Sequence, residues 1–189
     1  HEVLIQGIRP VIPILQFYLF LQCQAGAEGR AAVTVFMTLR YLALICGLVR
    51  LTCWDCARRL IPNRILARLL AVRLLLAMAE LICMSEAWTE TLGPLVLGGI
   101  LGGGVFLVVY ILSRGGMGAG DVKLMAVAGA YLGTGIWDVI IRSLFLAAAW
   151  GLILAVGKKA GWKQGIPFAP FVLAGTIWKA AVEMGGGAW

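Results

Sequence analysis

Charge is scarce in this chain. Only 13% of its 189 residues are Asp, Glu, Lys or Arg, 61% are hydrophobic, and the mean hydropathy is +0.94. That balance excludes an ordinary soluble domain. No long polar stretch is left over to build a separate soluble module, because each membrane span takes roughly 20 residues. No internal repeat or low-complexity segment is visible, apart from the glycines that precede Ala188 and Trp189. Residues His1–Ile8 lack a basic region followed by a small-residue cleavage site, so no removable signal peptide is read there.

Other absences narrow the chemistry. The single histidine is His1, and Cys53 and Cys56 have no second Cys-X-X-Cys pair, so the four ligands of a structural zinc are missing and no metal is expected. The five cysteines are odd in number, and Cys23, Cys46 and Cys83 fall in or near separate apolar runs, which is not the pattern of a disulfide framework. The net charge of +7 comes from basic residues scattered at the ends of apolar runs, with aromatics inside the runs. Membrane orientation accounts for that distribution, and nucleic acid is not an expected partner.

The sequence is rich in long apolar runs, at 10–25, 31–51, 64–84, 91–113, 121–136, 138–157 and 168–184. They predict an all-α, polytopic helical bundle of about seven transmembrane helices, within a range of six to eight, formed as one domain over 1–189. Taking alternate ends as one side gathers Arg9, Arg50, Arg58, Arg59, Arg64, Arg114, Lys123, Lys158, Lys159 and Lys163, which predicts a cytoplasmic face. The other ends gather Glu28, Glu80, Glu86, Glu90, Asp138 and Glu183, with Arg30 and Arg142 as exceptions. Arg40 and Arg73 fall near the middle of their runs and need a polar cavity, an acid or an interfacial escape. The pairs Gly98/Gly102, Gly99/Gly103 and Gly129/Gly133 have the small-xxx-small spacing of close helix packing.

Two acids break the apolar pattern on the same predicted face. Asp121 belongs to Gly118-Ala119-Gly120-Asp121-Val122-Lys123, and Asp55 precedes Arg59-Leu60-Ile61-Pro62-Asn63. Two carboxylates sharing one proton can hydrolyse a peptide with neither a metal nor a nucleophilic side chain. Asp55 and Asp121 are therefore the candidate catalytic dyad of an aspartyl protease. Gly118 and Gly120 are expected to supply unusual backbone angles and an open approach for an extended substrate. Lys123 either orients Asp121 or marks topology, and Pro62 and Asn63 end one loop and start the next helix. Nucleotide binding would need a strand-loop-helix setting that the chain lacks.

With Gly165-Ile166-Pro167-Phe168-Ala169-Pro170-Phe171, these motifs resemble the type IV prepilin peptidases, the prepilin leader peptidases of the Gly-X-Gly-Asp class. The resemblance covers residues 31–178 and implies removal of the short basic leader of prepilins or pseudopilins at the cytoplasmic face of a prokaryotic inner membrane. It carries Asp55 and Asp121 over as the catalytic pair, without a cofactor. Gly118, Gly120, Lys123, Pro62, Asn63, Pro167, Phe168 and Pro170 become the active-site loop and candidate substrate contacts. The alternative role for the Pro167–Pro170 stretch is a prolyl helix break. Bifunctional members of the family also carry an insertion with two Cys-X-X-Cys pairs and methylate the new N-terminus. This chain contains neither the insertion nor those pairs, which implies a peptidase without methyl transfer: a minimal member or a segment of a longer protein. The competing readings are a non-catalytic pilin-binding assembly factor and a small-solute transporter that uses Arg40, Arg73 and Glu80.

Overall fold

The computed structural model describes residues 27–58, 61–84, 88–114, 117–156 and 167–185. Among them there are six α-helices and no strand: α1 (Ala27–Arg58), α2 (Asn63–Met84), α3 (Trp88–Leu112), α4 (Ala119–Leu132), α5 (Ile136–Val156) and α6 (Ala169–Gly185). A 3₁₀ turn, Gly133–Gly135, joins α4 to α5. The expected run at 10–25 lies outside the described residues.

Among the described residues, three stretches are long and apolar enough to cross a membrane: Val33–Arg58, Thr91–Leu112 and Ala119–Ile153. The count of seven is thus not reached on this criterion. Helix α2 is interrupted by Arg64, Arg68, Arg73 and Glu80, and α6 has only 17 residues.

The chain divides into two compact units, His1–Thr38 and Leu39–Trp189. In the first, the described part is the start of α1, where the Thr38 hydroxyl donates to the Thr34 carbonyl at 2.8 Å. In the second, a core of Leu44, Leu48, Leu51, Leu66, Leu69, Phe106, Leu124, Met125, Ile136, Val139 and Val172 draws on every helix from α1 to α6. Isoleucine, leucine and valine elsewhere on the helices remain exposed, as lipid-facing surfaces require.

Helices α3 and α4 meet backbone to backbone, as the glycine spacing predicts. A Cβ added at Gly98 would lie 2.1 Å from the Gly129 carbonyl oxygen, one at Gly129 would lie 2.0 Å from that of Gly98, and one at Gly102 would lie 2.3 Å from that of Met125. Gly133 also packs on Pro94, and its φ of 59° lets the chain leave α4 in a left-handed turn.

Polar bonds tie α4 to α2. The Tyr131 hydroxyl donates to the Leu69 carbonyl at 2.8 Å, and Arg73 Nε donates to the Ala130 carbonyl at 2.9 Å. Glu80, expected at the polar end of its run, is instead 1% exposed and receives two arginines. Arg40 donates to both of its oxygens, through Nε to Oε1 at 2.6 Å and through a terminal nitrogen to Oε2, while Arg73 lies 3.6 Å from Oε1. The two midspan arginines thus share one acid. A second polar cluster joins α1, α5 and α6: Lys179 pairs with Asp138 at 3.1 Å and with Glu183 at 2.6 Å, and the Tyr41 hydroxyl donates to Glu183.

Candidate active site

Asp55 is not in a loop. It occupies the last turn of α1, one turn before Arg58, and is 6% exposed. That end of a helix carries the partial negative charge of the backbone dipoles and disfavours an anion. A compensating donor comes from α6, whose first residue, Ala169, gives its backbone N–H to Asp55 Oδ2 at 3.1 Å.

Asp121 arrives from the opposite kind of helix end. Residues Ala119, Gly120 and Asp121 form the first turn of α4, with Gly118 as N-cap. The partial positive charge there suits a carboxylate. The Asp121 backbone N–H donates to the Gly118 carbonyl at 3.0 Å, and its half-buried side chain lies within electrostatic reach of Asp55. Both acids singled out in the sequence thus sit at helix ends, with Asp121 in reach of the charge of Asp55.

The glycines act differently from the expectation. Gly118 has φ −71° and ψ 133°, which any residue adopts, and Gly120 lies in regular helix; among the described glycines only Gly133 has a positive φ. Space, rather than backbone freedom, is what they provide. A Cβ at Gly118 would sit 3.2 Å from Asp121 Oδ2, and one at Gly120 would sit 3.0 Å from Ile61 Cβ. The first absence leaves room for the carboxylate, and the second lets the start of α4 close on the segment that follows Asp55.

Lys123 is exposed and donates to Asn63 Oδ1 at 3.1 Å, so it fastens α4 to the start of α2. Pro62 lies just ahead of α2 and its carbonyl accepts the N–H groups of Ile65 at 3.0 Å and Leu66 at 3.5 Å, which is the helix-starting role read from the sequence. Pro167 and Pro170 are part-exposed at the start of α6. Phe168 is buried, its ring 5.3 Å from that of Phe106 on α3, and so belongs to the core. Cys53 and Cys56 are exposed and unbridged, and no group of three or more His, Cys, Asp or Glu gathers among the described residues.

Sequence reasoning missed the Ala169 amide, because a main-chain donor has no residue type to flag it. The signal that was available is the pair of prolines around a helix start, read as candidate substrate contacts or a helix break.

Comparison with known proteins gives a consistent picture. The model of the type IV leader peptidase family matches residues 42–156, more than half of the chain and inclusive of both aspartates. A Bacillus subtilis protein named prepilin leader peptidase/N-methyltransferase is 31% identical over 154 residues, 81% of this chain and 58% of its own length. An Escherichia coli protein, leader peptidase HopD, is 33% identical over 149 residues, 72% of this chain and 89% of its own length. A Burkholderia pseudomallei prepilin leader peptidase/N-methyltransferase is 29% identical over 179 residues, 86% of this chain and 54% of its own length. The chain thus spans little more than half of the two relatives named for both activities. No solved structure gives a significant match. The chain belongs to the type IV leader peptidase family.

Proposed function

We propose that this protein is a membrane aspartyl endopeptidase that removes the short basic leader of prepilin or pseudopilin precursors. The observation that supports the reading is that Asp55 and Asp121 each sit at a helix end, within reach of each other's charge, inside the segment that matches the family. One ionised carboxylate takes a proton from water as the water oxygen attacks the scissile carbonyl carbon. The other, protonated, donates to the carbonyl oxygen. Collapse of the tetrahedral intermediate breaks the C–N bond, the leaving amine takes a proton, and the pair returns to its one-proton state.

The same proposal includes a single domain over 1–189, a seven-span topology, and a site at the cytoplasmic face of a bacterial inner membrane. Its support is the basic residues near the dyad, with Arg58, Arg64 and Lys123 all exposed. Transport is disfavoured because Arg40, Arg73 and Glu80, the charges a midplane pathway would use, are engaged with one another.

The test is mass spectrometry of a purified prepilin-like substrate after incubation with the detergent-solubilised protein, alongside Asp55→Asn and Asp121→Asn. Removal of the leader by the wild type alone is expected. Wild-type activity in either variant would sink the dyad. Failure of a correctly inserted wild type would favour a pilin-binding assembly factor that does not cut.

A further inference from the structure

We infer that the backbone N–H of Ala169 is a positioning group for Asp55, and that the Pro167–Pro170 motif exists to leave that one donor free. The inference rests on the peptidase reading.

The first-turn N–H groups of a helix have no partner within it. In α6 they can be followed individually. The Phe171 and Val172 N–H groups both donate to the Phe168 carbonyl, at 3.0 and 3.3 Å. Pro170 has no N–H. The residues just ahead of the helix, Ile166, Pro167 and Phe168, offer no side-chain acceptor of the kind that ordinarily caps a helix. One donor is left over, that of Ala169, and it goes to Asp55 Oδ2. Asp55 thus caps α6 from the far end of α1.

The bond lies where solvent cannot replace it, since Ala169 is 0% exposed, Asp55 6% and Phe168 8%. The Phe168 ring rests on Phe106, which holds the start of α6 against α3. A bond from a fixed main-chain donor restricts the carboxylate's rotation and commits Oδ2. The positive end of α6 also offsets the unfavourable end of α1 on which Asp55 sits. Misplacing a reacting group by about 1 Å costs on the order of a hundredfold in rate.

The test deletes the donor while keeping the helix. Ala169→Pro removes the N–H at a first-turn position that proline tolerates, and an amide-to-ester exchange at residue 169 removes it without adding atoms. Ala169→Gly retains the donor. Either donor-less protein, inserted and folded by thermal unfolding, should show kcat lowered about tenfold to a hundredfold with KM within about twofold, while Ala169→Gly stays within about threefold of wild type. Ester exchange should also lower Tm in the wild-type background and leave it unchanged in Asp55→Ala, where the acceptor is gone. An ester protein that cleaves at the wild-type kcat while the wild type is active overturns this inference alone. An equal kcat loss in Ala169→Gly overturns it too. An inactive, correctly inserted wild type overturns the peptidase reading and this inference with it.

Discussion

The seam between α3 and α4 makes a quantitative demand that Gly98→Ala tests. The new methyl carbon would stand 2.1 Å from the Gly129 carbonyl oxygen, about 1.3 Å inside the 3.4 Å edge of ordinary contact, and 2.6 Å from Gly133 Cα. Both obstacles are main chain, so no rotamer change relieves them. Helix α4 is also hydrogen-bonded to α2 through Tyr131 and Arg73, which limits its retreat. Overpacking of this kind costs about 1–3 kcal/mol, and the rigid obstacles argue for the upper end. Replacing glycine within a helix returns up to about 1 kcal/mol. The net loss is about 2 kcal/mol, or roughly 4–8 °C in Tm for a chain of this size. Gly104, on the same helix, has nothing within 4 Å of its would-be Cβ, so Gly104→Ala should be neutral or stabilising by up to about 1 kcal/mol. Thermal unfolding in detergent, followed by tryptophan fluorescence, separates the two. Because α4 carries Asp121, the peptidase rate of Gly98→Ala should also fall. Equal melting temperatures for the two variants would refute the seam.

Other consequences can be checked with the same preparations. Glu80→Gln leaves Arg40 and Arg73 without their shared acid and should cost about 3 kcal/mol in unfolding measurements; an unchanged Tm would contradict the pairing. Gly118→Ala pushes on the Asp121 carboxylate and should lower kcat about tenfold with little change in Tm, whereas a Tm loss with unchanged kcat would make the site purely structural. Gly120→Ala collides with Ile61 Cβ, and the added Ile61→Gly change, which removes that atom, should restore part of the lost rate; no restoration would exclude that contact as the cause. Addition of S-adenosylmethionine or of zinc chelators should alter neither product mass nor turnover, and a methylated product would show that this chain carries the transfer activity.

Much of the candidate site was legible because aspartates are rare in apolar sequence. Asp55 and Asp121 stand out by type and position, and the spacing of Gly98, Gly102 and Gly129 specified where helices would touch. What escaped was set by main chain and tertiary geometry. The helix continues through Cys53 and Asp55 to Arg58, and α6 supplies a main-chain donor to the Asp55 carboxylate there. Gly118 and Gly120 looked like angle-setting residues, but their use lies in the space beside Asp121 and Ile61, which exists only after folding. Glu80 read as a terminal charge because hydropathy ranks residues along one helix. Its partners were Arg73, two turns earlier on the same face, and Arg40 on another helix. Phe168 looked available to a substrate from its place between two prolines, and the ring of Phe106 took it instead.

The shared acid of Arg40 and Arg73 bears on how the protein enters the bilayer. An arginine near the centre of a lone apolar helix is costly in lipid, so α1 carries a cation that it cannot satisfy until α2 delivers Glu80, and α2 carries an arginine of its own. Each helix inserts less favourably alone than in the pair, because the second brings the anion that the first requires. Biogenesis should therefore commit α1 and α2 as a hairpin, with α1 lingering at the translocon until α2 emerges. An insertion reporter placed after α1 alone should register incomplete integration that α2 corrects and α2 with Glu80→Gln does not; full integration of α1 by itself would remove the need for pairing.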